Sequence, residues 1–169
     1  MSYDGRLITE TAARFERTLP GPIERVWDYL TSSEHLPDWF GGRGMTYTIE
    51  PRIGGIVSLA NNHVRGVVTQ WKPPRLLAYT WNVFMPGQEE SPFPESYVTF
   101  TLEEKGGDVL LTLIHRPIAT GYEPFTLMGW HTFLELLRAL LRHEPLESKD
   151  ALMERNRARY GAPSTRPDQ

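Results

Sequence analysis

The sequence predicts an α+β fold in which a curved antiparallel sheet packs against one long C-terminal helix. Apolar residues over 129–145 recur at helical spacing and fill one half of a helical wheel, with charged residues on the other half. Between residues 45 and 115, short runs of alternating apolar and polar residues are separated by turn residues, which is typical of strands. A helix with one apolar face must bury that face, and the sheet is the available partner.

The N-terminal part of the chain predicts one strand followed by two short helices. Loose alternation over 6–20 indicates a first strand, interrupted near Thr11 and ended by Pro20-Gly21-Pro22. Apolar residues at helical spacing over 23–30 indicate a first helix, and a second follows over 34–40. The glycine-rich segment Gly41–Gly44 then leaves a helix and enters a strand. This order disfavours a phosphate-binding loop, which should connect a strand to a helix N-terminus.

Hairpin and loop signals divide the strand region. Turns are predicted at Asn61-Asn62 and over Lys105–Asp108. The proline-rich segment Met85–Pro94 cannot continue a strand, and it is a candidate lid or an ordinary exposed loop. The long helix begins near Thr120 or Pro124, and we expect Pro145 to end it.

The predicted domain organisation is a single sheet-and-helix domain over residues 1–145, followed by an extension over residues 146–169. Residues 146–160 are charged and weakly amphipathic, which predicts a further helix. This helix is also the expected place for a dimer contact, and the sequence leaves monomer and homodimer open. Residues 161–169 are rich in proline and small residues and are predicted to be a flexible tail.

Composition limits the classes of function. The net charge of −3 with interspersed signs, over 169 residues, offers no basic stripe for nucleic acid. The absence of cysteine excludes disulfides, thiolate catalysis and cysteine-bound zinc. No leader sequence or membrane-inserted segment is recognisable, so we expect a cytoplasmic protein.

No motif in the sequence predicts catalysis, a metal or a cofactor. The five histidines show no metal-ligand spacing, and no nucleophile elbow occurs. His115 is the best polar candidate for an internal site, and the alternative is a strand-end histidine bonded to backbone or water. His131, Glu95 and Tyr97 are weaker candidates for the edge of such a site.

The order of elements resembles the helix-grip fold of the START-like (Bet v 1-like, SRPBCC) superfamily, and local matches resemble the family named after the activator of Hsp90 ATPase homologue 1. These matches cover roughly residues 5–144 and include Ile23-Glu24-Arg25-Val26-Trp27, Pro74-Arg75-Leu76-Leu77, Tyr79-Thr80-Trp81, Leu111-Thr112-Leu113-Ile114-His115 and Gly129-Trp130. The resemblance implies a seven-stranded antiparallel sheet wrapped around the last helix, with an apolar cavity between them. It does not fix a function, because the superfamily includes carriers, receptors, cyclases and a co-chaperone.

The aromatic content agrees with such a cavity, because clustered rings leave irregular gaps. A solid aromatic core is the alternative. The residues predicted to line the cavity are Trp39, Phe40, Tyr47, Val57, Leu59, Tyr79, Trp81, His115, Trp130, Phe133 and Leu137.

The function predicted from these observations is non-catalytic binding of a small hydrophobic or amphipathic molecule, including lipids. A cyclase or hydrolase-type enzyme that uses the same cavity is one alternative. A protein-binding co-chaperone is the other, and it requires an exposed apolar patch.

Overall fold

The computed structural model describes residues 3–167 of the chain. Within them lie the seven strands and four helices that follow, named in chain order. They are β1 Ala13–Pro20, α1 Ile23–Thr31, α2 Leu36–Trp39, β2 Thr48–Ile49, β3 Ile56–Leu59, β4 Val64–Lys72, β5 Leu76–Val83, β6 Ser96–Lys105, β7 Asp108–Arg116, α3 Glu123–Leu141 and α4 Lys149–Tyr160.

All seven strands described in residues 3–167 form one curved antiparallel sheet in the order β1-β7-β6-β5-β4-β3-β2. The first strand, β1, pairs with the last strand in the chain, β7. Ala13 lies opposite His115 at one end of this pair, and Pro20 lies opposite Asp108 at the other. The chain therefore has the α+β helix-grip fold that the sequence predicts, with α3 held by the sheet. No helix in the described range is both long and apolar enough to span a membrane.

The core lies between α3 and the concave face of the sheet. Period-two alternation buries every second residue of β7, namely Val109, Leu111, Leu113 and His115. Leu134 and Leu137 of α3 are fully buried in the same core. A polar histidine thus continues an otherwise apolar row beneath the helix.

Two predicted boundaries are wrong. The first strand begins at Ala13 rather than near residue 6, because Leu7 and Ile8 have no sheet partner and are exposed. The long helix ends at Leu141 rather than at Pro145. Its last carbonyls accept from N–H groups of the following turn, in which His143 takes a left-handed conformation with φ of 55°.

The C-terminal helix α4 packs on α3. Ser148 caps its N-terminus by accepting a hydrogen bond from Ala151 N at 3.1 Å. Leu152 and Asn156 are buried, and the Asn156 amide donates to Thr132 Oγ1 of α3 at 3.0 Å. The mixed apolar and polar contact explains the weak amphipathicity of this segment, since only a narrow stripe of α4 is covered.

Candidate functional site

A cavity of about 560 Å³ lies between α3 and the half of the sheet formed by β4 to β7. This size is within the usual range for small-molecule sites. The sheet contributes Val64, Trp81, Val83, Ser96 and His115, and α3 contributes Phe125, Thr126, Met128, Gly129, Trp130 and Phe133. Sixteen of the lining residues are apolar, aromatic or glycine, so the surface that a guest would contact is mainly hydrophobic.

Four aromatic rings from three separate elements form one wall. Phe40 follows α2, Trp81 lies on β5, and Trp130 and Phe133 are three residues apart on α3. Their ring centroids are 4.8 Å apart for Phe40–Phe133, 5.7 Å for Phe40–Trp81 and 5.2 Å for Trp81–Trp130. The rings meet at tilted or edge-on angles, so they pack firmly against one another but do not close the space beside them.

The structure divides the residues that the sequence predicted for the cavity into two groups. Phe40, Trp81, His115, Trp130 and Phe133 line it. The other six are buried in the packed core, with no more than 4% exposure: Trp39, Tyr47, Val57, Leu59, Tyr79 and Leu137. Burial raises the pKa of the Tyr79 phenol, as expected for a core tyrosine.

Several lining residues were missed by sequence reasoning. One group follows β7 and leads into α3, from Pro117 to Thr120 with Tyr122. Another consists of His63 in the β3–β4 turn, Phe93 and Pro94 at the end of the predicted lid, Met153 of α4 and Arg166 beyond it. The run Pro117-Ile118-Ala119 is an apolar signal that was available, whereas His63 and Arg166 carry no local signal.

A continuous chain of hydrogen bonds crosses the buried end of the cavity. The Trp130 indole N–H donates to His115 Nδ1 at 3.0 Å. An indole has no acceptor, so Nδ1 must accept, and the proton of the neutral imidazole lies on Nε2. His115 Nε2 is 2.8 Å from Ser96 Oγ and donates to it, and the Ser96 hydroxyl donates to the Trp81 carbonyl at 3.0 Å.

This arrangement keeps His115 uncharged. Burial lowers the pKa of His115 to about 4. A proton added to Nδ1 would also point at the indole N–H of Trp130, which is a second reason why the cation is unfavourable. The site therefore presents a neutral and internally bonded polar group to the cavity.

The cavity opens on the side of its exposed lining residues, which are His63, Pro94, Thr120 and Arg166. The rings of Phe93 and Tyr122 are 4.9 Å apart at an interplanar angle of 75°, which joins the end of the 85–94 loop to the start of α3. His63 is exposed, and its Nδ1 donates to the Phe84 carbonyl at 3.0 Å. Within residues 3–167, no group of three or more His, Asp or Glu side chains could hold a metal ion.

A family model matches most of this sheet-and-helix domain. The model of the family described as "Activator of Hsp90 ATPase homolog 1-like protein" matches residues 20–142. The chain belongs to this family. The matched segment runs from the end of β1 to the end of α3, so α4 and the residues after it lie outside the matched segment.

Solved structures of the same fold come from several organisms. CalU16 from Micromonospora echinospora is 22% identical with a TM-score of 0.69, and the match covers 89% of this chain and 86% of that one. A protein encoded by gene BPP1335 of Bordetella parapertussis is 26% identical with a TM-score of 0.66, covering 95% and 90%. PFC0360w, an Hsp90 activator from Plasmodium falciparum, is 20% identical with a TM-score of 0.66, covering 79% and 97%. No curated protein matches the sequence.

Proposed function

We propose that the protein binds a small hydrophobic or amphipathic molecule in the cavity between α3 and the sheet, without transforming it. The observation that carries this proposal is a mainly apolar space of about 560 Å³ with aromatic residues in its wall, inside a family domain whose interior is otherwise expected to be close-packed. A guest that removes this surface from water gains about 25 cal/mol for each Å² of apolar area. At the buried end, the second lone pair of the Ser96 hydroxyl can accept one hydrogen bond from the guest, since the other hydrogen-bonding groups of the Ser96–His115 pair are already engaged.

The direction of the hydrogen bonds argues against a hydrolase function for this pair. A general base must take the proton of the serine hydroxyl, which requires an unprotonated Nε2. Here Nε2 carries the proton and Ser96 is the acceptor, because Trp130 occupies Nδ1 as a donor. A carboxylate at Nδ1 would stabilise the imidazolium, whereas an indole N–H opposes it.

A protein-binding function has weaker support. Ile53, Ile56 and Val67 are exposed, and Ile56 and Val67 are register partners on β3 and β4. Three exposed apolar side chains are few, whereas specific interfaces involve about 20–30 residues on each partner. The likeness to the Plasmodium activator lies below 25% identity and supports the shared fold alone.

The proposal is tested with freshly purified full-length protein. Native mass spectrometry, with and without prior solvent extraction, is expected to show a mass excess that extraction removes. Extracted protein should then bind the neutral fluorescent probe phenylnaphthylamine, with a higher melting temperature at saturation, because the probe binds only the folded state. A bare mass together with absence of probe binding would contradict the proposal.

Gly129 offers a matched control. It lines the cavity from α3, and a Cβ added there meets no described atom within 4 Å apart from its chain neighbours and the backbone of its own helix. Gly129→Leu should therefore place a side chain in part of the cavity, and the loss of glycine should favour the helix by about 0.5–1 kcal/mol. The expected result is an unchanged or higher melting temperature with loss of probe binding. Equal probe affinity in this variant and the wild type would place the probe elsewhere on the surface.

A further inference from the structure

The residues after α4 turn back toward the mouth of the cavity. Gly161 ends the helix in a left-handed conformation with φ of 63°, and the Arg157 guanidinium donates to the Pro163 carbonyl at 2.7 Å. Farther on, Pro167 lies against the loop before α3, since a Cβ added at Gly121 would be 3.2 Å from Pro167 Cγ. The sequence predicts a flexible tail here. Residues 161–167 nevertheless contact the rest of the domain near Pro163 and at Pro167, and these contacts place the segment beside α3.

Arg166 is the residue of this segment that lines the cavity. Its guanidinium carbon lies 5.9 Å from the centroid of the Phe125 ring on α3, which holds the positive charge over an aromatic wall. Among the described lining residues, Arg166 carries the one fixed charge. His115 is neutral for the reasons given above, and no carboxylate within residues 3–167 forms an ion pair with Arg166.

The acidic residues that flank the lining in sequence are engaged elsewhere. Glu95 accepts a hydrogen bond from the Asn82 amide at 3.2 Å. Glu123 accepts from the backbone N–H of Gly121 at 2.7 Å. Neither carboxylate lines the cavity, so the charge of Arg166 at the mouth is not neutralised by them.

We propose that Arg166 makes the cavity selective for amphipathic molecules with an anionic head group, carboxylate being the simplest case. This inference rests on the proposed binding function and names the class of its ligand. The apolar body would occupy the aromatic cavity, and the head group would pair with the guanidinium, whose planar donors match a carboxylate or phosphate in two parallel hydrogen bonds. Arg166 lies outside residues 20–142, the segment that the family model matches.

The test compares two probes that share the same apolar body and differ in the charge of the head group, dansyl-labelled undecanoic acid and its methyl ester. Fluorescence titrations use the extracted full-length protein, its Arg166→Gln variant and an Arg6→Gln control. Arg6 lies in the exposed N-terminal segment, outside the cavity lining, and its loss changes the net charge equally. Wild type and the Arg6 control should bind the acid about three- to tenfold tighter than the ester at low ionic strength.

In Arg166→Gln the two probes should bind equally, with the affinity for the ester unchanged. The preference of the wild type should also shrink as salt is raised, because a pair at the mouth is screened. Equal binding of both probes by the wild type would leave the proposed function standing and overturn this inference. Retention of the preference in Arg166→Gln would also overturn it. Absence of binding by either probe would overturn the inference together with the proposed function.

Discussion

The indole of Trp130 determines what the buried histidine can do. It is a donor without an acceptor, so it sets the tautomer of His115 and thereby the direction of the bond to Ser96. The same ring contacts Trp81 and Phe133 and forms part of the cavity wall. One residue therefore supplies core packing, the cavity surface and the electrostatic character of the site.

Two phenylalanines allow the packed core and the cavity wall to be compared directly. Phe100 is 1% exposed and lies in the core, whereas Phe133 is half-buried and borders the cavity. We expect Phe100→Ala to lower the free energy of unfolding by about 3–5 kcal/mol. Phe133→Ala should cost only about 1–2 kcal/mol, since part of its ring already faces open space. Chemical denaturation measures both, and equal losses would show that the space beside Phe133 is filled.

At the scale of elements, α4 packs on the outer side of α3 and is held there by polar contacts. The Asn156 side chain is fully buried: it donates to Thr132 Oγ1 and to Glu135 at 3.3 Å, and its oxygen accepts from Arg159 at 3.1 Å. Tyr160 lies next to His131, its hydroxyl 2.6 Å from Nδ1. These polar contacts fix the register of α4, which in turn positions Met153 and the segment that bears Arg166.

Removal of the Asn156 side chain tests whether its polar contacts hold α4 against α3. Asn156→Ala should cost about 1–3 kcal/mol of unfolding free energy, because buried partners are left unpaired. Hydrogen exchange of the α4 amides should accelerate while that of the β6 and β7 amides changes little. Glu154→Ala, an exposed change on the same helix, is the control. Equal protection of α4 in wild type and Asn156→Ala would show that this contact does not hold the helix.

At the scale of the whole molecule, His115 links stability to pH. The folded state has a pKa of about 4 for this group, against 6.5 in the unfolded chain. The unfolded state therefore binds more protons between these pH values, so the free energy of unfolding rises with pH from about 4 to 6.5. Above this window the contribution of His115 to stability is fully present. The full contribution is about 3 kcal/mol, at 1.36 kcal/mol for each pKa unit.

The corresponding variant is His115→Gln, which removes the titrating group. We expect its unfolding free energy to depend less on pH between 4 and 6.5 than that of the wild type, as measured by denaturant unfolding at several pH values. His143→Gln, which changes an exposed histidine outside the cavity, is the control. If plots of unfolding free energy against pH are parallel for His115→Gln and the wild type, His115 has the same pKa in the folded and unfolded states.

The sequence by itself determined the type and order of the elements. Alternation along β7 identified both its buried row and the inward position of His115, because a period of two assigns a face to every residue of a strand. The wheel of α3 likewise identified its apolar face. The boundaries at residue 6 and at Pro145 failed because pairing partners and left-handed turns, rather than composition, end those elements.

Only the tertiary structure decided which of the buried residues border the cavity. The period of two predicts that Tyr79 and Trp81 lie on the same face of the sheet. It does not predict whether another side chain or empty space lies opposite each of them. Tyr79 meets the packed core and Trp81 meets the cavity. The same limit applies to Arg166, whose place at the mouth follows from α4 packing on α3 and from the turn after it. A cavity is a gap between elements, so its lining depends on distances across the fold that a single strand or helix pattern does not contain.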